Sequence, residues 1–572
     1  MSINPTALTR ARESRAAIER LYIEMRHLFN SGVYRQLGQR GQVLTEALLT
    51  LSPEIYGSMG DPNKVELAGL VYVMDRQPKG LAECRFIRLV SEEGFMNSDF
   101  EVTIPAARRR ACYRVDEDHM FIEVTRGRSE IYDILTHLTF LFREADKIKN
   151  HALTEENEPT LEWQYLQDIV VGKKKLTHKN KEIAFTHLST ILGRSFAETK
   201  NAYQRMAAQG NKNNGLFHIV YWLGKVAIEE ELYGKKREIT FSPTLRDRIG
   251  HHIYGEIWAV QIKKSLLEKN LMNRPLHIIS ANLHSVMNSL FAYQVLKKQF
   301  PKDTEIESLA RILSRGDSKR FNQMVKDYAL DHGMYELEDP SGTNISIQIF
   351  DTSKIDLDEI SPELKLDRSY IESEKPLIFV MDYAFGEQAF ETMDELLKSY
   401  NDGQQHHYMN VKSISIMGKA GILIGGKGDI MIPNSHVFEG TADNYPFDND
   451  FRCEDFEEMG NRVCEGSMIT VLGTSLQNRD VLSYFKKSSW KAIGLEMEGA
   501  HYQKAIQAAA RIRKTISKDV VLRYAYYASD NPLLSGSTLA SGSLGSAGVK
   551  PTYLITQKIL EKILSGDKVV EK

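Results

Sequence analysis

The sequence has few cysteines, no long apolar run and no excess of charge of either sign. Its 572 residues include four cysteines without a C-x-x-C pair, which argues against a disulfide scaffold and favours a reducing compartment. No stretch reaches the roughly 18 consecutive apolar residues of a membrane helix, and the first twenty residues are too charged for a signal peptide. Lys plus Arg number 73 and Asp plus Glu 76, a balance unsuited to neutralising a phosphate backbone. We therefore expect a cytoplasmic protein that binds neither membranes nor nucleic acid.

What the sequence does contain is a change of pattern along its length. In residues 1–152 the apolar residues first recur with a helical period, change near Cys84 to the period of two that is typical of strands, and then return to a helical period. This pattern predicts a small α+β domain of unknown function. The acidic, polar segment 153–160 predicts a linker. Residues 161–270 are mostly helical in pattern, with a long helix at 244–271, and predict a connecting or regulatory domain.

Residues 272–572 alternate short apolar runs with helical stretches. Strand-like runs at 276–280, 377–381 and 411–417 are apolar throughout, which is typical of strands covered on both faces. The pattern therefore predicts an α/β domain. In such sheets ligands bind beyond the carboxyl ends of the strands, so the residues that follow the strands are the informative ones.

Five polar or glycine-rich segments follow predicted strands. They are SANLHS at 280–285, DYAFGEQ at 382–388, GKAGILIGGKGD at 418–429, GLEMEGA at 494–500 and YASDNPL at 527–533. Taken one at a time, acids at strand ends are typical of a solvated surface. Taken together they place several carboxylates and glycines at the edge of a sheet where ligands bind.

The acids in the last two segments suit the cleavage of an N-glycosidic bond. Glu496 and Glu498 bracket Met497 at a strand end, so one carboxylate can face a site and accept two vicinal hydroxyls of a sugar. Asp530 follows Ser529 at the end of another strand. An Asp in a partly desolvated pocket can have a raised pKa and donate a proton to a leaving group.

Together and in this order, the segments resemble the nucleoside phosphorylase and nucleosidase superfamily, and they are most similar to AMP nucleosidases. GLEMEGA with Asp530 downstream looks like the E-M-E and S-D motifs, and GKAGILIGGKGD resembles the central glycine-rich strand and turn. Thr474, in VLGTS, matches a Gly-Thr strand end. The resemblance covers about residues 272–566 and implies a nucleoside phosphorylase-like mixed sheet for the domain 272–572.

The resemblance also implies roles for single residues. Glu498 would bind the ribose hydroxyls and stabilise an oxocarbenium-like sugar, with Met497 packing against it. Asp530 would protonate or hydrogen-bond N7 of the purine. Glycine backbone would approach the ligand closely, which a side chain would prevent. The remaining predicted binding residues are Asn282, His284, Gly386, Gly418, Lys419, Gly421, Thr474, Arg479, Glu496 and Ser529.

Departures from the superfamily pattern concern phosphate. Phosphorolytic relatives hold free phosphate with a Gly and an Arg near the first strand end, whereas residues 280–284 contain neither, which favours hydrolysis. Asn282 and His284 would position water there. AMP nucleosidases have an Arg where Ser285 stands. His284, Lys419 or Arg479 could hold a 5′-phosphate in its place, or Lys419 could plug the pocket.

The sequence therefore predicts a purine nucleotide or nucleoside N-ribohydrolase, a homo-oligomer whose partner is a small molecule. No His, Cys and Asp cluster has the spacing of metal ligands, so we expect neither a metal nor a cofactor. Two alternatives stay open: a phosphorolytic purine nucleoside phosphorylase, and a non-catalytic nucleotide sensor or scaffold with the same fold. The Gly/Ser-rich segment 536–548 predicts a mobile active-site loop.

Overall fold

The computed structural model divides the chain into two compact units. It describes residues 5–108, 110–208, 210, 213–441, 443–460, 462–535 and 544–566. Unit 1 comprises Met1–His251 and Ser475–Val481, and unit 2 comprises His252–Thr474 and Leu482–Lys572. Most of the predicted glycine- and serine-rich loop, residues 536–543, lies outside the described residues.

Unit 1 combines nine helices among its described residues with a six-stranded mixed sheet. The helices are α1 Pro5–Ser31, α2 Gln39–Leu51, α3 Leu67–Met74, α4 Gly127–Ala152, α5 Leu161–Val170, α6 Lys181–Leu192, α7 Phe196–Ala207, α8 Leu216–Tyr233 and α9 Pro243–Gly250. The strands are β1 Val33–Tyr34, β2 Phe86–Val90, β3 Glu101–Thr103, β4 Cys112–Arg114, β5 His119–Glu123 and β6 Glu238–Phe241, in the spatial order β1-β6-β2-β5-β4-β3.

The sheet joins parts of the chain that the sequence assigns to separate domains. β6 comes from the predicted helical region, yet it pairs in parallel with β2, with Phe86 opposite Glu238. Helix α8 of the same region packs on α4. The structure therefore groups residues 1–152 and 161–251 differently from the prediction, because a four-residue strand shows its partner only through long-range pairing.

The long helix predicted at 244–271 is two helices. α9 ends at Gly250, and His252 has the left-handed φ of 56°, which a continuous helix does not allow. The next helix starts at Ile253, and the boundary between the two units falls between His251 and His252. Residues 252–270 thus belong to unit 2.

Unit 2 is built on a ten-stranded mixed sheet. Its strands are β7 Leu276–Ser280, β8 Met334–Leu337, β9 Ile347–Asp351, β10 Leu377–Met381, β13 Val411–Ile422, β14 Ile430–Phe438, β15 Asn444–Pro446, β16 Val463–Thr470, β17 Gly494–Glu496 and β18 Val521–Asp530; β11 Tyr400–Asn401 and β12 His406–His407 form a small hairpin. The helices are α10 Ile253–Glu268, α11 Leu283–Leu296, α12 Ile306–Leu313, α13 Lys319–Asp331, α14 Arg368–Glu374, α15 Gln388–Leu396, α16 Arg479–Lys487, α17 Gly499–Gln507, α18 Pro532–Ser535 and α19 Val549–Leu564. The first three residues of α16 belong to unit 1.

Helices cover both faces of this sheet, as the apolar strands predict. Successive side chains of a strand point to opposite faces. Ile278 and Phe379 therefore join one core with α10, α15 and α17, whereas Ile279 and Val380 join another with α11, α12, α13 and α19. The prediction of an α/β sheet buried on both faces is confirmed.

Strand β13 is the centre of the sheet and is longer than predicted. Residues 418–421, expected in a turn after the strand, continue it as far as Ile422. β7 and β10 run parallel beside one another next to β13, and β18 runs parallel along its other edge. Within the described part of the chain, no helix combines the length and apolar character needed to cross a membrane.

Candidate active site

The carboxyl end of β13 lies between the ends of several neighbouring strands. On one edge, β7 pairs with it as far as Ser280 opposite Ile416, and β17 takes up the pairing only at Gly421. On the other edge, β18 ends with Asp530 opposite Gly421. The stretch of β13 between Ile416 and Gly421 is thus left open on one edge, and the predicted acids flank it.

Glu498 follows β17 and is held by the loop after β10. The backbone N–H of Gly386 donates to its Oε1 at 2.9 Å. Gly386 has a φ of 56°, which glycine adopts without strain, so this donor depends on glycine. Burial raises the pKa of Glu498, the nearby charge of Glu496 raises it further, and the hydrogen bonds from Gly386 and Met497 partly oppose both effects.

Glu496 is buried and holds the backbone of the two residues at the start of α17. It is 2% exposed, and its Oε2 accepts hydrogen bonds from the backbone N–H groups of Glu498, at 2.6 Å, and Gly499. The hydroxyl of Thr470, which the sequence analysis missed, donates to its Oε1. Burial raises the pKa of Glu496. The sequence predicts a substrate ligand here, but both carboxyl oxygens are engaged inside the protein.

Asp530 has one engaged oxygen and one without a partner. Ser529 Oγ lies 2.5 Å from Asp530 Oδ1 and 3.0 Å from the carbonyl oxygen of Ala420. Asp530 Oδ2 is buried and has no hydrogen-bond partner. The strand-end position predicts a raised pKa, and burial does raise the pKa of Asp530, although Ser529 and the charge of Lys419 act to lower it. These are properties of a proton donor.

Three tyrosines that the sequence analysis missed complete the site. A Cβ built on Gly418 would lie 3.8 Å from the rings of both Tyr383 and Tyr526, so Tyr383 passes over the glycine. Burial raises the pKa of the Tyr383 hydroxyl, and the nearby Tyr527 raises it further. Tyrosines after apolar strands were visible in the sequence, but nothing local distinguished them from core residues.

A fourth tyrosine lies beneath Glu498. Tyr502, on α17, is 2% exposed, and its Oη lies 2.9 Å from Ser280 Oγ at the end of β7. Burial, together with the charges of Glu498 and Asp382, raises the pKa of Tyr502, so it remains a neutral phenol. Tyr502 thus ties the end of β7 to the helix that follows Glu498.

The other predicted residues differ in burial and in their contacts. The side-chain oxygen of Asn282 accepts the N–H of His284 at 2.8 Å and caps α11, and His284 is exposed. Met497 is buried next to Glu498. Lys419 is exposed on β13, near enough to Asp530 to affect its pKa.

Two predicted residues lie where the chain passes between the units. Thr474 is half-buried and is the last residue of the first segment of unit 2. Arg479 belongs to unit 1, where its backbone N–H donates to Glu54 Oε1 at 3.3 Å. The structure therefore groups Arg479 apart from the acids, and its predicted role stays a prediction.

The arrangement can bind a polyol and protonate a leaving group. One carboxyl is anchored by a glycine N–H, and a second carboxyl has a raised pKa and an unpartnered oxygen. Among the described residues, no group of three or more His, Cys, Asp or Glu side chains is placed to hold a metal ion.

A separate cavity of about 640 Å³ lies at the opposite edge of the sheet, where β7, β13 and β18 begin. Its lining includes Lys412, Lys514 and Asp519 and none of the predicted site residues. Asp519 is exposed at the amino end of the strand that ends in Asp530, which makes it a matched control position.

Comparisons with other proteins found one matching family and several solved structures that resemble part of the chain at low sequence identity. The model of a family of unknown function, DUF6909, matches residues 42–300 and 309–565. No curated protein matches the chain.

Three solved structures illustrate the similarity of fold. They are Campylobacter jejuni 5′-methylthioadenosine/S-adenosyl homocysteine nucleosidase (10% identity, TM-score 0.28, covering 51% of this chain and 100% of that one), native futalosine hydrolase of Helicobacter pylori (12%, 0.28, 50% and 98%) and AMP nucleosidase from Bacteroides thetaiotaomicron (12%, 0.28, 53% and 97%). Likenesses of this degree carry no argument about activity.

Proposed function

The chain belongs to the DUF6909 family, whose function is unknown, and we propose that it is a purine nucleoside or nucleotide N-ribohydrolase. It cleaves the N-glycosidic bond and releases the free base together with ribose or ribose 5-phosphate. The proposal rests on one observation above all. Glu498, held by the backbone N–H of Gly386, and Asp530, whose pKa is raised, flank the open, glycine-containing end of β13.

The geometry assigns different tasks to the two carboxyls. Glu498 is anchored at Oε1 by the N–H of Gly386, so a fixed carboxyl meets the ribose hydroxyls and the positive charge that develops on the sugar. Asp530 keeps its Oδ2 without a partner in a buried position, where a proton can pass to the base. Gly418 has no side chain, so the rings of Tyr383 and Tyr526 lie close to the strand there and offer aromatic surface to a flat base.

The proposed reaction proceeds by departure of the base. Asp530 donates its proton to N7 of the purine as the bond between N9 and the anomeric carbon breaks, and the bond electrons stay on N9. Glu498 stabilises the cationic sugar, which water then attacks. The motif order E-M-E followed by S-D, which resembles that of nucleosidases, supports the same division of tasks.

The 5′ substituent is a finer part of the proposal. Lys419 is an exposed cation whose charge acts on Asp530, and a phosphate ester would gain from it. We therefore expect AMP to be a better substrate than adenosine, and Lys419→Ala to reduce the rate with AMP more than the rate with adenosine. Equal losses of rate with both substrates would leave the proposed hydrolase intact and would refute the role of Lys419 in binding a phosphate.

The test is a direct assay for free base. The full chain is incubated with AMP, adenosine, IMP and GMP, with and without added phosphate, and the products are separated by chromatography. We expect base release that does not depend on phosphate. Asp530→Asn should lower turnover by roughly 10²–10⁴-fold. Asp519→Asn, the same substitution at the other end of β18, should leave turnover unchanged.

The sugar site has its own test. Glu498→Gln should lose most of the discrimination between ribosyl and 2′-deoxyribosyl substrates, because its carboxyl is the proposed acceptor of the 2′-hydroxyl. Strict dependence on phosphate, with ribose 1-phosphate as product, would replace the hydrolase with a phosphorylase. Measurable nucleotide binding without release of base would indicate a sensor.

A further inference from the structure

Attack by water on the sugar needs a group that accepts the water's proton, and the residues predicted for this task are engaged elsewhere. The side-chain oxygen of Asn282 caps α11, and His284 is exposed. Ser285 is fully buried and donates to the carbonyl oxygen of Asn282 at 2.8 Å. The end of β7 therefore contributes no carboxylate or imidazole whose placement suits a general base.

The neighbouring strand β10 ends in a carboxylate at the same edge. Met381 pairs with Ser280, and the N–H of Ala281 donates to the carbonyl oxygen of Met381 at 3.0 Å. The chain thus leaves β7 and β10 side by side, and Asp382 emerges beside Ala281, the residue before Asn282. Asp382 is half-buried, and its Oδ1 accepts the N–H of Tyr383 at 2.8 Å.

Asp382 and Glu498 are connected through one short loop and one hydroxyl. The loop 382–386 begins with Asp382 and ends with Gly386, whose N–H holds the Glu498 carboxyl. At the start of this loop, Met381 pairs with Ser280, whose Oγ lies 2.9 Å from the Tyr502 hydroxyl oxygen. The charges of Glu498 and Asp382 both act to raise the pKa of Tyr502, which agrees with two carboxylates close to that hydroxyl.

We propose that Asp382 is the general base of this site, which takes a proton from the water that attacks the anomeric carbon. This inference rests on the proposed hydrolase function. Oδ1 is fixed by the loop, which orients the group, and the second carboxylate oxygen is the one that meets the water. Neither the E-M-E nor the S-D motif contains this residue.

The proton and electron balance of the step is complete. The water oxygen forms a bond to the anomeric carbon, and the bond from that carbon to N9 breaks, with its electron pair left on N9. Asp530 loses one proton to the base and Asp382 gains one from the water. Exchange with solvent then returns both carboxyls to their starting states, so no further reactant is needed.

The experiment compares Asp382→Asn and Asp382→Ala with the wild-type chain, with sodium azide as a replacement nucleophile. Azide attacks the sugar without giving up a proton, so it needs no base. We expect base release by both variants to fall by about 10²–10⁴-fold. Azide should restore release as its concentration rises, with ribosyl azide detected by mass spectrometry. Asp530→Asn, which lacks the acid, should not respond to azide.

The outcomes separate this proposal from the one on which it rests. Wild-type turnover in either Asp382 variant would overturn the role of Asp382 and leave the hydrolase intact. Loss of turnover without rescue by azide, in a variant that melts at the wild-type temperature, would also overturn it. Absence of base release by the wild type would refute the hydrolase and this inference together, whereas ribosyl azide formed only by the Asp382 variants supports both.

Discussion

Replacing Gly499 with alanine tests whether the start of α17 positions Glu498. A Cβ on Gly499 would lie 2.3 Å from Cδ2 and 2.4 Å from Nε2 of His436, and 2.8 Å from the hydroxyl of Tyr526. His436 is fully buried and stacks on Phe447, with ring centroids 5.2 Å apart, so it has little room to retreat. The helix start must therefore shift by about 1 Å, and overpacking of this kind costs about 1–3 kcal/mol.

The same shift reaches the Glu498 carboxyl. Glu498 precedes Gly499 directly, so its 2.9 Å hydrogen bond from Gly386 lengthens or breaks. A displacement of about 1 Å at a reacting group can cost on the order of 100-fold in rate. We expect Gly499→Ala to lower both the free energy of unfolding and kcat by these amounts.

Urea unfolding and steady-state kinetics measure the two effects. Gly426→Ala is the control, because a Cβ there meets nothing within 4 Å and no left-handed φ is involved, so its stability should stay within about 0.5 kcal/mol of wild type. If Gly499→Ala folds and turns over like the wild type, the close packing of His436 against this helix does not position Glu498.

Three further changes probe other parts of the molecule. Gly418→Ala adds a methyl at an ordinary contact distance, 3.8 Å, from the rings of Tyr383 and Tyr526, so we expect unchanged thermal stability. Substrate binding should weaken by about 1–3 kcal/mol, roughly 5- to 150-fold in KM. An unchanged KM would mean that no ligand approaches Gly418. Lys419→Met removes a charge that lowers the pKa of Asp530, so Asp530 keeps its proton to higher pH and the alkaline limb of the kcat/KM profile should move upward. In unit 1, the side chain of Lys147 is 1% exposed and its Nζ lies 2.9 Å from the Glu144 carboxyl. Glu144→Ala removes this counter-charge and should lower the free energy of unfolding, measured by urea unfolding, by about 3–5 kcal/mol.

Part of the site could be predicted because its signals are local. Apolar runs followed by polar residues placed Glu498 and Asp530 at strand ends, and the order of motifs distinguished them from surface acids. Strand alternation alone allows either of the two neighbouring glutamates to face the site, and only the family resemblance assigned the sugar to Glu498. Glu496 is turned inward by Thr470, at the end of a strand that is far away in sequence.

The sequence by itself determined the α/β alternation of unit 2, the absence of a long apolar helix and the acids at the strand ends, because period and composition are properties of adjacent residues. Only the tertiary structure decided that β6 completes the sheet of unit 1, that Arg479 belongs to that unit, and that Asp382 emerges beside Ala281. It also decided the raised pKa of Asp530. Strand pairing and burial depend on residues far apart in the chain, and desolvation acts only once those residues have packed together.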